Sequence, residues 1–322
     1  MTEQLLSIII PCYNSAKFLD ATLDMLISQE LHDCEVIVVN DGSRDGTSYI
    51  AHQYANKYRE IKVVDKENEG VSIARNIGMN IASGKYIYFL DSDDSLASGT
   101  LDFFRKAFKE NDGKEFFAFG YYTSRNGKFL KNYSFQKYDG MHLSPILLKQ
   151  LFLRKKICFH ICSCIYERDF LQSHNICFTP GLKVGEDVEF LLKVLCYVSD
   201  CGYFARHCFI YQIRDDSAMQ GYKSYSIQQA NTISLFYKVL SDNYPCEECD
   251  KDFFLANYYV SQLLFYLKST VKENAINDVF ALYEFLLDKK ITVWSFRRIV
   301  ITVFQIIKPH NLIMCIKHKK EA

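Results

Sequence analysis

The first part of the chain alternates strand-like apolar runs with helix-like stretches. Continuous runs such as Leu6–Ile10 are typical of strands buried on both faces. Further strands are predicted at Glu35–Val39, Ile61–Val64 and Tyr86–Leu90. Helices are predicted near Ala16–Gln29, Thr47–Tyr58 and Val71–Ala82. This alternation predicts an α/β fold with a mostly parallel central sheet flanked by helices.

Polar residues directly follow three of these strands. The first strand ends at Pro11–Asn14, the second at Asn40–Ser43 and the fourth at Asp91–Asp94. In sheets of this kind, ligands bind beyond the carboxyl ends of the strands. The pattern therefore predicts a site at this edge of the sheet.

The pattern after residue 115 is less regular, and no element is predicted between Leu90 and Phe116. A strand, a turn and two helices are predicted at Phe116–Tyr122, Asn126-Gly127, Ser144–Arg154 and from Glu186 onward. From about Ser226 the spacing of apolar residues is helical. We predict a domain over 1–220, with halves 1–115 and 116–220, followed by a helical C-terminal region over 221–322.

Composition excludes some classes of protein. The 38 Lys and Arg residues balance the 38 Asp and Glu residues, so no nucleic-acid partner is expected. No run of about eighteen uncharged apolar residues predicts a spanning helix. Met1–Gln4 lead directly into a strand without a basic segment, so we expect no signal peptide and a cytoplasmic location.

The 12 cysteines are scattered, which is typical of reduced and mostly buried thiols. One alternative is a structural zinc site built from two half-sites. Its ligands would come from Cys246 and Cys249 together with His160, Cys162 and Cys164.

The acidic loop Asp91–Asp94 is the strongest candidate for chemistry. Its three carboxylates within four residues repel one another unless a cation or hydrogen-bond donors lie among them. Such a site suits Mg²⁺ or Mn²⁺, with substrate phosphate and water completing the shell. The alternative is a solvated acidic turn that caps the following helix.

Two further turns carry candidate groups. The Asp41 carboxylate can accept hydrogen bonds from a base N–H or a ribose hydroxyl, whereas Asp45 is expected only to cap the next helix. Arg75, near a predicted helix start, could bind a diphosphate in bidentate geometry. As an isolated residue it would more often form a surface ion pair.

Three strings of sequence resemble the inverting family 2 glycosyltransferases, which have the GT-A fold. They are SIIIPCYN from Ser7, VIVVNDGSRDGT from Val36 and NEGVSIARNIGMNIASGKYIYFLDSDD from Asn68. The resemblance implies that the 1–115 half binds a nucleotide sugar and that the 116–220 half faces the acceptor.

The resemblance implies roles for single residues in the donor site. Asp41 would hold the nucleobase, Arg75 would lie close to the base and diphosphate, and Asp91 would contact the ribose. Asp93 would be the direct ligand of Mn²⁺ or Mg²⁺. Ser92 is counted with these donor-binding residues.

The loop under the nucleoside would be shaped by Pro11 and Tyr13, mainly through backbone contacts. Asp94 would either help the site or only hold its loop. None of these implied roles concerns binding of the acceptor.

A Glu-Asp pair at a predicted helix start also matches the family. The resemblance implies that Asp187 is the general base and that Glu186 supports the acceptor pocket. An acceptor hydroxyl must lose its proton as it attacks an anomeric carbon, and a positioned carboxylate can take it. The alternative is acidic residues favoured by the helix macrodipole.

The segment from Tyr211 to Met219 resembles one that folds over the donor in the family. Arg214 is the candidate there for a contact with the diphosphate, and a surface loop is the alternative. No clear equivalent is found for a further metal ligand, commonly a histidine. His207 is expected to precede the last strand and has no assigned role.

The C-terminal region offers a possible surface contact. Residues Ile291–Ile307 place apolar side chains on one face, and the chain from Lys289 onward is strongly basic. Such a helix either touches an anionic membrane through 291–320 or packs on the catalytic domain with a solvated tail. Membrane contact would place the enzyme peripherally on the cytoplasmic face of an inner membrane.

Together these observations predict an inverting, metal-dependent glycosyltransferase. Its donor would be a nucleotide-diphosphate sugar, with UDP favoured by the family's habits, and its acceptor a hydroxyl of a glycan or lipid-linked glycan. A nucleotidyltransferase is disfavoured because SIIIPCYNSAKF lacks a glycine-rich triphosphate loop. A non-catalytic sugar-nucleotide-binding subunit of a polysaccharide-assembly complex remains the alternative.

Overall fold

The computed structural model describes most of the first two thirds of the chain. It covers residues 4–140, 143–182, 184–214 and 227–241, together with 247, 248, 250, 251, 253–255, 257 and 258. The chain divides into two compact units. The first comprises residues 1–148 and 157–214, and the second comprises residues 149–156 and 215–322. The predicted domain limits stay predictions. The residues of the predicted helix at 291–307, the basic tail, Cys246 and Cys249 lie outside the described residues.

One mixed sheet dominates the described part of the first unit. Its strand order is β3-β2-β1-β4-β8-β6-β9-β5, and β7 pairs with β6 beside this path. The strands are β1 (Leu6–Cys12), β2 (Cys34–Asp41), β3 (Ile61–Lys66), β4 (Tyr86–Phe89), β5 (Ser95–Leu96), β6 (Phe116–Arg125), β7 (Lys128–Asn132), β8 (Cys164–Glu167) and β9 (Cys201–Gln212).

The strands predicted from the sequence form the parallel half of this sheet. β1 pairs in parallel with both β2 and β4, and β2 pairs in parallel with β3. Every residue of β1 and β2 is buried, as a strand covered on both faces requires. In the other half, β8 runs antiparallel to β4 and β6, while β6 and β9 are parallel.

The described ranges also contain helices. They are α1 (Ala16–Ile27), α2 (Thr47–Lys57), α3 (Val71–Ile81), α4 (Thr100–Glu110), α5 (Pro145–Leu153), α6 (Arg168–Ser173), α7 (Glu186–Tyr197) and α8 (Ile227–Ser241). β5 and α4 occupy the interval for which no element was predicted. α4 buries Leu101, Phe104 and Phe108 on one face, so its helical spacing was present in the sequence.

Helix α3 packs unusually close to β1. A Cβ atom on Gly78 would lie 2.4 Å from Cγ2 of Ile9, so this position of the helix requires glycine. The close contact fixes the position of Arg75, which lies on the same helix three residues earlier. The packing of α3 therefore sets where the guanidinium reaches beyond the strands.

An aromatic cluster positions the start of α7. The rings of Phe178 and Phe190 stack with centroids 4.1 Å apart, and Phe89 meets them edge-on at 5.2 and 5.7 Å. Phe190 belongs to α7 and Phe89 is the last residue of β4. The cluster therefore fixes the helix that carries the Glu-Asp pair against the strand that precedes the acidic loop.

The second unit has an aromatic core of its own. The ring of Phe254 contacts those of Phe152, Phe236 and Tyr258 with centroids 5.0 to 6.0 Å apart. Arg154 forms an ion pair with Asp250, which is fully buried. None of the helices in the described ranges combines the length and apolar composition that a membrane-spanning helix needs.

A buried carboxylate ties the opposite end of the sheet together. Glu35 accepts hydrogen bonds from Ser7 Oγ and Lys62 Nζ, both at 2.6 Å, and from the amide and hydroxyl of Ser83. Burial opposes ionisation, but these donors lower the pKa of Glu35 from 4.5 to about 2. A depressed pKa contributes stability above pH 4.5 that is lost as the pH falls towards the folded-state value.

We therefore expect Glu35→Gln to lower the free energy of unfolding by roughly 2–3 kcal/mol at neutral pH. The difference from wild type should shrink as the pH falls below 4.5, where the unfolded carboxyl takes up its proton. Urea unfolding at several pH values measures this. Glu110→Gln, at an exposed helix end, is the control and should stay near wild type. If the difference in the free energy of unfolding between wild type and Glu35→Gln does not change with pH, the Glu35 carboxylate does not have a lowered pKa in the folded state.

Candidate functional site

The acidic loop after β4 is held rigidly from two sides. The hydroxyl of Ser92 lies 2.7 Å from that of Ser15, and its carbonyl accepts a hydrogen bond from Thr22 Oγ1 at 2.9 Å. Asp94 Oδ1 accepts from the backbone N–H of Gln212 at 2.8 Å. Ser92 and Asp94 therefore fix the loop to α1 and to the end of β9. Direct contact of Ser92 with a donor stays a prediction.

Each of the three carboxylates on this loop has a different electrostatic environment. Burial opposes ionisation of Asp91, but the Arg75 guanidinium holds the pKa of that carboxyl below its usual value. Asp93 is one third exposed and lies 3.5 Å from the Arg214 guanidinium. Burial raises the pKa of Asp94 well above its usual value, and Asp91 and Asp93 add to this effect.

Arg75 joins the acidic loop to the start of α7. Its Nη2 donates to Asp91 Oδ1 at 2.8 Å and its Nη1 donates to Glu186 Oε1 at 3.3 Å. The guanidinium is buried and lies 5.2 Å above the ring of Phe178. Arg75 is therefore not a surface ion pair, because it links two acidic groups inside the predicted site.

The Glu-Asp pair occupies the first turn of α7, as predicted. Gly185 precedes the helix with a φ of 76°, a left-handed conformation that favours glycine. Asp187 Oδ1 accepts from the backbone N–H of Val188 at 2.8 Å. Burial raises the pKa of both Glu186 and Asp187, which makes each carboxylate a stronger base than it is in water.

Asp41 lies at the end of β2 with both carboxylate oxygens engaged. Oδ1 accepts from Lys66 Nζ at 2.6 Å and from the Glu69 amide at 2.9 Å, and Oδ2 accepts from the Gly70 amide at 2.8 Å. In this structure the carboxylate shapes the loop that precedes α3. Its contact with a nucleobase stays a prediction.

Asp45 caps α2, as expected, and also holds a second helix. Its Oδ1 accepts from the Thr47 amide at 3.0 Å and its Oδ2 from the Ala16 amide at 3.1 Å. It thereby joins the starts of α1 and α2.

The end of β1 reaches the same edge of the sheet. Pro11 is buried within the strand, and Tyr13 lies just beyond it with half of its surface exposed. Asn14 then links this segment to the next loop, since its amide donates to Ser43 Oγ and its side chain accepts from the Arg44 amide, both at 2.9 Å. The predicted contacts of Pro11 and Tyr13 with a nucleoside stay predictions.

Arg214 lies against the acidic loop. Its guanidinium donates to the Asp93 carbonyl and lies 3.6 Å above the ring of Phe18. It thus reaches the site, although its predicted contact with a diphosphate stays a prediction. His207 lies inside β9, not before it, because this strand begins at Cys201. There His207 is hydrogen-bonded to Asn132 Oδ1 at 2.8 Å.

Sequence reasoning did not place Cys162 and His160 at this site. One ligand atom each of Asp91, Asp94 and Cys162 lies within 4.8 Å of the others. Cys162 N donates to His160 Nδ1 at 3.2 Å, which brings the histidine to the same region. The irregular stretch before β8 gave no periodic signal, so its position in the fold could not be read from the pattern.

The acidic loop fits a hard divalent cation. Asp94 Oδ2 is buried and has no hydrogen-bond partner in the described part of the chain, and Asp91 and Asp93 add further carboxylate oxygens. Mg²⁺ and Mn²⁺ prefer such oxygen ligands. The sulfur of Cys162 is a softer ligand than these ions prefer.

Comparison with known proteins gives one family match and several similar proteins. The family model described as glycosyl transferase family 2 matches residues 7–174, just over half of the chain. The chain is 32% identical over 248 residues to the minor teichoic acid biosynthesis protein GgaB of Bacillus subtilis. That alignment covers 73% of this chain and 26% of GgaB, so the chain spans about a quarter of this relative.

Two solved structures share the fold. One is the crystal structure of S. aureus TarS in complex with UDP-GlcNAc, with a TM-score of 0.69 and 24% identity over 88% of this chain and 80% of that one. The other is the mannosyltransferase PcManGT of Pyrobaculum calidifontis in complex with GDP-Man and Mn²⁺, with a TM-score of 0.55 and 14% identity. It covers 97% of this chain and 83% of that one.

These findings confirm two predictions. The likeness to TarS confirms the predicted α/β fold, and the family model covers the strands and loops that carry Asp41, Arg75 and Asp91–Asp94. The chain belongs to glycosyl transferase family 2.

Proposed function

We propose that this protein is an inverting glycosyltransferase that moves a sugar from a UDP-sugar to a hydroxyl of a glycan or lipid-linked glycan. One observation carries the proposal. The buried Arg75 contacts Asp91 of the acidic loop and Glu186 beside Asp187, so one cation joins the candidate donor and acceptor groups. A nucleotide-sugar donor is further supported by the UDP-GlcNAc bound to TarS and the GDP-Man bound to PcManGT.

The donor would lie at the carboxyl edge of β1, β2 and β4. Asp41 and the loop it shapes would meet the base, Asp91 would accept from the ribose, and Arg75 and Arg214 would face the diphosphate. Asp93 would hold Mn²⁺ or Mg²⁺, which when bound offsets the charge that develops on the departing nucleotide. The Mn²⁺ of PcManGT supports a divalent cation in this role.

Asp187 would act on the acceptor. As the acceptor oxygen forms its bond to the anomeric carbon, its proton passes to the Asp187 carboxylate and the bond from that carbon to the phosphate oxygen breaks. The nucleoside diphosphate leaves with the electron pair of that bond, and the anomeric configuration inverts. Glu186, held by Arg75, would support the acceptor pocket beside this base.

A thermal-shift screen of UDP-sugars with Mn²⁺, followed by a UDP-release assay on those that bind, tests the function. We expect one or more UDP-sugars to raise the melting temperature, as any ligand that binds only the folded state does. UDP release should require both the acceptor and the divalent cation. A protein that binds UDP-sugars but never turns them over would instead be the non-catalytic subunit.

A further inference from the structure

His160 has a fixed imidazole orientation at the edge of the candidate site. The Cys162 amide donates to its Nδ1 at 3.2 Å, and its own amide donates to Ser163 Oγ at 2.9 Å. Both bonds belong to the short 3-10 turn Ile161–Ser163 that leads into β8. Because Nδ1 accepts a hydrogen bond, the proton of the neutral ring must reside on Nε2.

The imidazole stays neutral in its surroundings. Burial lowers the pKa of His160 to about 4, so the ring carries no charge near neutral pH. It is therefore a hydrogen-bond donor of fixed direction and not a cation for phosphate. Arg75 and Arg214 already supply positive charge in this region.

Three rings form a wall around this histidine. Phe209 and Tyr211 lie with ring centroids 4.9 and 5.0 Å from His160, and Tyr121 lies at 6.0 Å. We call Tyr121, His160, Phe209 and Tyr211 the aromatic wall. Phe209 and Tyr121 are buried and pack around the imidazole, whereas His160 and Tyr211 are partly exposed and are the members that a bound molecule can reach.

The aromatic wall lies beside the charged groups of the site. The charges of Asp91, Arg75 and Glu186 all act on the His160 ring, and those of Asp91, Asp93 and Asp187 act on Tyr211. The His160 ring is half-buried, and no group in the described part of the chain hydrogen-bonds to its Nε2. The Nε2–H group therefore needs a hydrogen-bond acceptor, either a water molecule or an atom of a bound molecule.

We propose, building on the function above, that His160 is a specificity-determining residue whose Nε2–H donates to one hydroxyl of the transferred sugar. A neutral N–H adds little to the binding of a charged diphosphate. It does favour a sugar with a hydroxyl in the correct position over one without it, by about the contribution of one neutral hydrogen bond. Arg75 joins Asp91 to Glu186, and the charges of all three groups act on the His160 ring. The transferred sugar must lie in the same region, between the nucleotide and the acceptor base.

Two substitutions separate this role from a structural one. In His160→Asn the side-chain oxygen can still accept from the Cys162 amide, but no donor reaches the Nε2 position. In His160→Gln the amide nitrogen reaches about as far as Nε2. Calorimetry with Mn²⁺ measures the affinities of wild type and both variants for UDP, UDP-glucose, UDP-galactose and UDP-GlcNAc, and thermal unfolding checks the fold.

We expect His160→Asn to bind UDP like wild type and to bind the preferred UDP-sugar about three- to tenfold more weakly, the effect of one lost neutral hydrogen bond. His160→Gln should recover part of this loss. One deoxy analogue of the preferred sugar should bind wild type more weakly by the same factor, with no further loss in His160→Asn.

Other results overturn the proposal in recognisable ways. If His160→Asn lowers the affinities for UDP and for the UDP-sugar by the same factor, the histidine only maintains the structure of the site. An unchanged affinity for the UDP-sugar removes it from sugar recognition while the proposed function stands. If wild type binds none of the three UDP-sugars, the donor assignment itself fails.

Discussion

Replacing Asp187 by asparagine is expected to lower the rate of sugar transfer by about 10²- to 10⁴-fold, the usual contribution of a general base. Asparagine has nearly the same shape, and its side-chain oxygen can still accept from the Val188 amide, as Asp187 Oδ1 does at 2.8 Å. It cannot take a proton from the acceptor. Donor binding should stay close to wild type, because the carboxylate faces the acceptor in the proposed arrangement. UDP release and calorimetry with a UDP-sugar measure the two effects separately.

Asp169→Asn is the matched control for this variant. Asp169 is also an acidic residue in the first turn of a helix, α6, but its side chain is 78% exposed. If Asp187 only complements its helix macrodipole, both substitutions should cost about 0.3–1 kcal/mol of stability and leave transfer intact. Equal activity of the two variants would therefore remove Asp187 as the base.

The pH dependence of transfer follows from the same assignment. Burial raises the pKa of Asp187, and a base must be deprotonated to act. Activity should fall as the pH decreases through this raised value, and the acidic limb should be absent from the residual activity of Asp187→Asn. A wild-type acidic limb that persists in the variant would belong to another group.

The parallel half of the fold could be predicted because its signals are local. β1 and β2 are continuous apolar runs, and each of the first helices lies between two such strands. The other half depends on pairings that have no local signal. β5 has only two residues, Ser95 and Leu96, and exists because it pairs with β9 more than a hundred residues later. α4 did carry the spacing of an amphipathic helix, so its omission was a failure of interpretation.

The candidate site shows the same division. The positions of Asp41, Asp91 and Asp93 follow from the rule that parallel strands end at one edge. The contact between Arg75 and Glu186 joins residues 111 positions apart, and no spacing in the sequence predicts it. His160 reaches the site through a 3-10 turn in an irregular segment, which shows neither the alternation of a strand nor the three- to four-residue spacing of a helix. Side chains brought together by tertiary packing were therefore the part that the pattern could not reveal.

Replacing Asp93 by asparagine should abolish the metal dependence of nucleotide binding. Asp91 is paired with Arg75, and burial raises the pKa of Asp94, whereas Asp93 is one third exposed. Its contact with Arg214 is long, at 3.5 Å. A diphosphate would meet this negative charge directly unless a divalent cation lay between them. Wild type should therefore bind UDP weakly in EDTA and much more tightly with Mn²⁺.

The variant should show opposite effects in the two conditions. With Mn²⁺, Asp93→Asn should bind UDP at least about 100-fold more weakly than wild type, because even residues that only support metal ligands contribute about 10- to 100-fold to metal affinity. In EDTA it should bind UDP as tightly as wild type or more tightly, since a repulsive charge has been removed. Asp112→Asn, a change at an exposed carboxylate paired with Lys85, should behave like wild type in both. If Asp93→Asn keeps the full gain in affinity from Mn²⁺, the cation is held by Asp91 and Asp94 instead, since only these carboxylates would remain on the loop to bind it.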